Sequence, residues 1–323
     1  MQNSGFRDRG AITRRTALRM AGGLAGLASC SSQGRKRIAV VPKATSHLFF
    51  VTIHGGVDQA AKDFDVETLW NGPSNETDHS RQIQIVDSFL TQRVDGLAIS
   101  ATDERALQGS VERVIAAGIP VAIFDSGVNV ENYVTFVATD NSGAGVTAAR
   151  RLAALIGGKG KVAMVMQKPG GTSTELRERA FEETIAKEFP AVTIAARQYG
   201  MADVARARAA AENILTAHPD LGGIFASSEA SSLGAISAIH SRGASGKVKL
   251  ITFDSSDAHV EALRNGTIDV MLVQDGFRIG YESVKSLAEK LSGKTPQKRI
   301  DLPAREVTKG ELGDPAVKRL LRI

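Results

Sequence analysis

Polar residues stand in a regular series just past short apolar runs. Lys43, Ser46 and His47 follow the run 38–41, with Phe49 and Phe50 beside them. Ser100 ends the run 96–100 and Thr102 follows it, Asp125 and Ser126 follow 120–124, and Thr139, Asp140 and Asn141 follow 134–138. Thr172 and Ser173 come after 161–166, and Arg179 lies one to two turns into the helical pattern beyond them. Ser228 and Glu229 follow 223–226, Asp254 and Ser255 follow 249–253, and Gln274 and Asp275 follow 270–273. An ionised carboxylate accepts bonds from two adjacent hydroxyls, and arginine donates in a fixed fork. Aromatic rings cover the C–H face of a sugar. The set therefore suits a polyol. Each member also has a plainer reading. Ser228 and Thr172 could simply cap helices, and Asp125 could bond its own backbone in a turn.

Catalysis finds less support. His47, His54, His79, His218, His240 and His259 offer bases, and Asp125-Ser126-Gly127 offers a hydroxyl. None has a strand–elbow–helix setting or metal-ligand spacing. The glycine-rich stretch Asp140-Asn141-Ser142-Gly143-Ala144-Gly145 lacks the dinucleotide and phosphate-loop spacings. No enzyme activity, cofactor or metal is expected. His54 and His79 read as surface residues, and Trp70 reads as a packing residue at a strand end.

The elements that must position these groups alternate. Expected strands cover 38–41, 66–70, 96–100, 120–124, 134–138, 161–166, 192–197, 223–226, 249–253 and 270–273. Between them, apolar residues recur at helical spacing over 49–64, 77–91, 103–117, 142–156, 174–189, 204–217, 231–241, 258–265 and 277–291. Repeated β-α units imply right-handed crossovers and parallel sheets covered on both faces. The fold class is α/β, and 323 residues suggest two domains. In such sheets ligands sit beyond the carboxyl ends of the strands, where the polar series falls.

Charge is unevenly placed. Of the formal +5, residues 1–29 hold a net +4, five arginines against Asp8. The remaining body is nearly neutral and lacks the basic footprint of a nucleic-acid binder. Arg14, Arg15 and Arg19 precede an apolar run too short to span a bilayer. Together with the small residues that follow they read as an export signal over 1–29, and the arginine pair resembles a twin-arginine signal. Ala17 stands where phenylalanine is usual, which keeps the general secretory route open. Leu27-Ala28-Ser29-Cys30 resembles a bacterial lipobox, which makes Cys30 the expected lipidation site and 30–35 a lipidated linker. Cys30 is the sole cysteine, so no intrachain disulfide can form.

Taken in order, these motifs resemble a known family. Ile38-Ala39-Val40-Val41-Pro42-Lys43 with Phe49-Phe50, Asp95 through Ser100, and Gly118-Ile119-Pro120-Val121 through Asp125 open the likeness. Thr139-Asp140-Asn141, Gly171-Thr172-Ser173 with Arg177-Glu178-Arg179, Leu215 through Asp220, Phe253-Asp254 and Gln274 continue it. Over about residues 36–310 the chain resembles the periplasmic sugar-binding proteins of the ribose-binding type. Val-Pro-Lys and Asn-Gly-Pro add a flavour of the rhamnose and autoinducer binders, in which Lys43 has a counterpart. The resemblance implies two doubly wound parallel-sheet lobes joined by a three-crossing hinge near Asp140, Gln274 and Pro303. The lobes would be 36–139 plus 275–303, and 140–274 plus 304–323.

The positions that match the family's ligand contacts are His47, Phe49, Phe50, Ser100, Asp125, Thr139, Arg179, Ser228, Asp254 and Gln274. His47, Ser100 and Ser228 stand where asparagine is common, and Ser126 where arginine is common, which counts against ribose itself. Met201 or Ala202 stands where an aromatic is expected. The resemblance further implies a monomeric, membrane-tethered lipoprotein outside the cytoplasm that delivers a monosaccharide or similar polyol to an ABC importer permease. It would touch the membrane only through its anchor. A receptor partner for chemotaxis or two-component signalling is the related alternative. A regulator of the LacI type is disfavoured, because an export-like leader stands where a helix-turn-helix would be.

Overall fold

Strand order accounts for most of what positions the site. In the computed structural model, residues 34–323 are described. The expected α/β alternation runs through β1 (Lys36–Val41), α1 (Leu48–Asp63), β2 (Val66–Trp70), α2 (His79–Thr91), β3 (Gly96–Ile99), α3 (Gln108–Ala116), β4 (Val121–Phe124) and β5 (Thr135–Thr139). It continues as α4 (Asn141–Leu155), β6 (Gly160–Met166), α5 (Thr172–Glu188), β7 (Val192–Tyr199), α6 (Val204–Ala217), β8 (Leu221–Ala226), α7 (Glu229–Ser241), β9 (Lys249–Phe253), α8 (Asp257–Arg264), β10 (Val270–Val273) and α9 (Gly276–Leu291). Two short strands, β11 (Arg299–Leu302) and β12 (Arg305–Val307), and α10 (Pro315–Leu321) end the chain.

The strands form two six-stranded sheets, in the orders β11-β5-β4-β3-β1-β2 and β12-β10-β9-β8-β6-β7. Read from the other edge, both follow one plan: second, first, third, fourth and fifth strand of the set, then a late strand. Among the described residues all pairings are parallel except β10 with β12. Strand order reverses beside β1 in one sheet and beside β6 in the other, which are the switch points where α/β sheets open a crevice. The chain passes between the sheets three times: after β5, after β10, and between β11 and β12.

Helices cover both faces of each sheet, so β3, β4 and β10 are buried along their whole length. On one face of the first sheet, Phe50, Ile53 and Val57 of α1 pack with Ile279, Val284 and Leu287 of α9. The other face takes Ile85, Val86 and Phe89 of α2 and Val111 and Val114 of α3. In the second sheet, Phe181 of α5 stacks on Phe225 of β8 at 4.8 Å. Glycine lets α1 and α9 touch: a Cβ on Gly280 would stand 2.1 Å from the Ile53 carbonyl oxygen, and one on Gly56 would stand 1.9 Å from that of Phe277.

Two local differences from the sequence reading have clear causes. The helix expected from 103 begins at Gln108, because the Asp103 carboxylate takes the amides of Arg105 and Ala106 and holds a turn. Strands β11 and β12 escape an apolar-run search because they are short edge strands carrying Arg299, Asp301, Arg305 and Glu306. The export-signal and lipidation readings of residues 1–29 and Cys30 lie outside the described residues.

Candidate functional site

Strands β4 and β9 occupy the same place in their sheets and end in the same three residues, Phe124-Asp125-Ser126 and Phe253-Asp254-Ser255. Both aspartates take positive φ, 55° and 70°. That left-handed conformation is uncommon outside glycine, and aspartate is among the residues that tolerate it best. Each backbone N–H still bonds the neighbouring strand, Asp125 to Val137 O and Asp254 to Leu272 O. The twist ends each strand and frees the carboxylate for the crevice.

Around Asp125 the first sheet assembles a buried ionic cluster. Lys43, in the loop after β1, places its Nζ 3.1 Å from Asp125 Oδ2 and 3.6 Å from Glu76 Oε2. Ser100 donates to the same Asp125 oxygen at 2.8 Å. Glu76 also faces His47 Nδ1 at 3.2 Å. Burial pulls the Lys43 ammonium down, but Asp125 and Glu76 more than offset it, so its pKa lies above the usual value. Burial likewise opposes charge on Glu76, yet Lys43 and then His47 hold its carboxyl far below the usual range. Despite its own burial, His47 is pushed up by Glu76. The Gln82 amide fixes the frame, donating to Pro42 O and Ser100 O and accepting from Thr102 N.

Around Asp254 the second sheet sets an arginine. Arg177 of α5 is 2% exposed. Its Nη2 bonds Asn141 Oδ1 at 2.6 Å, its Nη1 bonds Ser227 O at 2.5 Å, and its guanidinium lies 3.2 Å from the Phe253 ring centroid. Burial lowers its pKa to about 10. Gln274, after β10, donates to Asp254 Oδ1 at 2.7 Å and accepts from Thr139 Oγ1 at 2.6 Å. Burial raises Asp254 to about 6, against the pull of Arg177 and the Gln274 bond.

These groups surround a narrow pocket of about 20 Å³ between the sheets. Of the residues singled out from sequence, Lys43, His47, Phe49, Phe50, Asp125, Ser228, Asp254 and Gln274 line it. Ser100 and Thr139 stand one layer back and hold Asp125 and Gln274. Ser228 caps α7, its Oγ accepting from Ser231 N, and it also donates to Gln167 Oε1. Thr172 is no cap; it accepts from Gly127 N and meets Ser126 Oγ, joining the two sheets. Trp70 stacks on His54 at 4.3 Å, away from the site.

Arg179 is a correction. It is exposed on the outer face of α5, and Arg177 lines the cavity instead. Two residues along a helix turn about 200°, so only one of the pair can face inward. The buried stripe Thr174, Arg177, Phe181 and Ile185 shows which, and that stripe is visible in the sequence. The reading also missed Glu76, Gln167, Ser173, Thr174 and Glu229 as lining residues. Ser173 and Glu229 were in the post-strand series, whereas Glu76 lies six residues beyond β2 with no signal.

With this geometry in place, the comparisons are unambiguous about family. Residues 38–295 match the family model described as periplasmic binding protein domain. The chain belongs to the periplasmic binding protein family. It is 29% identical over 276 residues to the ribose import binding protein of Bacillus subtilis, a match spanning 84% of this chain and 88% of that one. Among solved structures, it resembles a carbohydrate transporter solute binding protein from Agrobacterium radiobacter in complex with D-arabinose. The TM-score is 0.87 at 29% identity, over 90% of this chain and 99% of that one. An ABC transporter solute binding protein from Agrobacterium vitis bound with α-D-tagatopyranose gives a TM-score of 0.85, also at 29% identity, over 89% and 99% of the two chains. The fold is the two-sheet type I periplasmic binding fold.

Proposed function

We propose that this chain captures a monosaccharide or similar polyol between two lobes and delivers it to an ABC importer. The carrying observation is the pair Asp125 and Asp254, presented from equivalent strand ends of opposite sheets into one buried space. Two carboxylates facing a neutral ligand from opposite sides can each accept from its hydroxyls. Phe49 and Phe50 supply apolar faces. The relatives named for ribose, arabinose and tagatopyranose support this ligand class. The role is binding without turnover.

In this reading the lobes are 36–139 plus 275–303, and 140–274 plus 304–323. The three crossings act as the hinge, and a saturating sugar compacts the protein. Cys30 carries the lipid anchor that tethers a monomer outside the cytoplasm. No described helix is long and apolar enough to cross a membrane. Two experiments test delivery and anchoring. Cells lacking the chain should lose uptake of the labelled sugar it binds; undiminished uptake would remove the transport role. The Cys30→Ser protein should leave the membrane fraction, and continued sedimentation with membranes would remove the anchor.

A further inference from the structure

We infer that Glu229 is a closing latch: a residue of the second sheet that caps the first helix of the other. The inference rests on the two-lobe reading above. Helix α1 starts without a cap of its own. Its N-cap residue, His47, makes no side-chain capping bond, and no acidic residue stands in its first turn. The amides of Phe50 and Val51 already bond His47 O. The first amides of a helix have no intrahelical partner, and here the two concerned are Leu48 and Phe49. Both are met by Glu229, at 3.1 Å through Oε1 and 2.9 Å through Oε2, from 180 or more residues away in sequence. By contrast α2, α4, α6, α7, α8 and α9 each accept a capping bond on the side chain directly preceding them.

The position of Glu229 ties this cap to the ligand space. It is the first residue of α7, is 7% exposed, and lines the cavity. Its own N–H bonds Asp254 Oδ2 at 3.0 Å. Asp254 therefore serves the start of α7, and the Glu229 side chain serves the start of α1. Two helix N-termini, each bearing partial positive charge, converge here from opposite sheets, and the carboxylate between them favours their approach. Parting the sheets breaks both bonds to α1. A ligand held by Asp254 fixes the group that orients Glu229, which couples occupancy to the cap.

The test holds the sheets together without any ligand. Ser126 Oγ and Thr172 Oγ1 face each other across the sheets at 3.2 Å. A Ser126→Cys, Thr172→Cys protein spanning 31–323, oxidised and purified as the cross-linked form, stays closed. In it, amide exchange at Leu48 and Phe49 should accelerate about tenfold or more on adding Glu229→Ala, the scale of charge-assisted bonds. Glu229→Gln should fall between. Rates within twofold in the cross-linked pair overturn the latch. So does a difference that persists undiminished after reduction without ligand, because the cap would then be permanent rather than made on closure. A chain that binds no sugar sinks the solute reading and leaves this result standing.

Discussion

Removing the Asp125 carboxylate should weaken binding and also cost stability. Oxygen Oδ2 takes Lys43 Nζ at 3.1 Å and Ser100 Oγ at 2.8 Å, in a residue 3% exposed. A strand-end side chain would ordinarily contribute little to folding, but this one balances a buried ammonium. Breaking a buried pair costs about 3–5 kcal/mol when the survivor is left uncompensated. Lys43 keeps Glu76 at 3.6 Å, so the loss for Asp125→Ala should be smaller, about 1–3 kcal/mol. Alanine also tolerates φ of 55° poorly, at roughly 1 kcal/mol more. On the ligand side, hydrogen bonds to a charged group contribute about 1.5–3 kcal/mol each. Losing one such bond weakens binding by about 10- to 150-fold. Asp125→Asn separates the effects, since asparagine accepts one bond, tolerates the backbone and carries no charge. Titration calorimetry reads affinity and urea unfolding reads stability. If Asp125→Ala binds within about threefold of the parent, roughly 0.6 kcal/mol, Asp125 serves only the buried cluster with Lys43 and Ser100 and the site assignment is wrong.

Arg177→Lys should lose the fork on Asn141 and the stacking on Phe253 and weaken sugar binding by about tenfold or more. Arg179→Ala, on the exposed face, should stay within about 0.5 kcal/mol in stability and leave affinity unchanged; equal effects of the two would refute the helix-face assignment. Burial raises Glu178 to about 7, and its Oε2 has no hydrogen-bond partner among the described residues. The folded state therefore holds this proton more tightly than the unfolded one, so its contribution to stability falls as pH rises from about 4.5 through 7. Glu178→Gln should gain on the parent by up to about 3 kcal/mol between pH 4.5 and 8, and urea midpoints with a pH-independent gap would contradict this. Gly280→Ala, which drives a Cβ against Ile53 O, should destabilise by about 1–3 kcal/mol or more in thermal melts, while Gly310→Ala, with open space around it, should be nearly neutral.

Strand and helix positions were legible because buried parallel strands read as short apolar runs and their helices repeat a strong 3.6-residue pattern. The polar residues at strand ends followed, since parallel sheets place function there. What escaped was set by tertiary contact. Glu76 is recruited by Lys43 and His47, which only folding brings to it. Glu229 owes its role to a helix start in the other sheet. Arg177 differs in kind, because Phe181 and Ile185 recur at helical spacing from it and mark its face of α5, not that of Arg179, as the buried one.

The central claim is reversible capture of a neutral sugar by groups from both sheets. Equilibrium titration of residues 31–323 against a monosaccharide panel that includes D-ribose, D-allose, D-arabinose and D-tagatose tests it most directly. The account predicts saturable, one-site micromolar binding of at least one of them, lost on replacing either Asp125 or Asp254 by alanine. No binding across the panel, or binding indifferent to both aspartates, would contradict it.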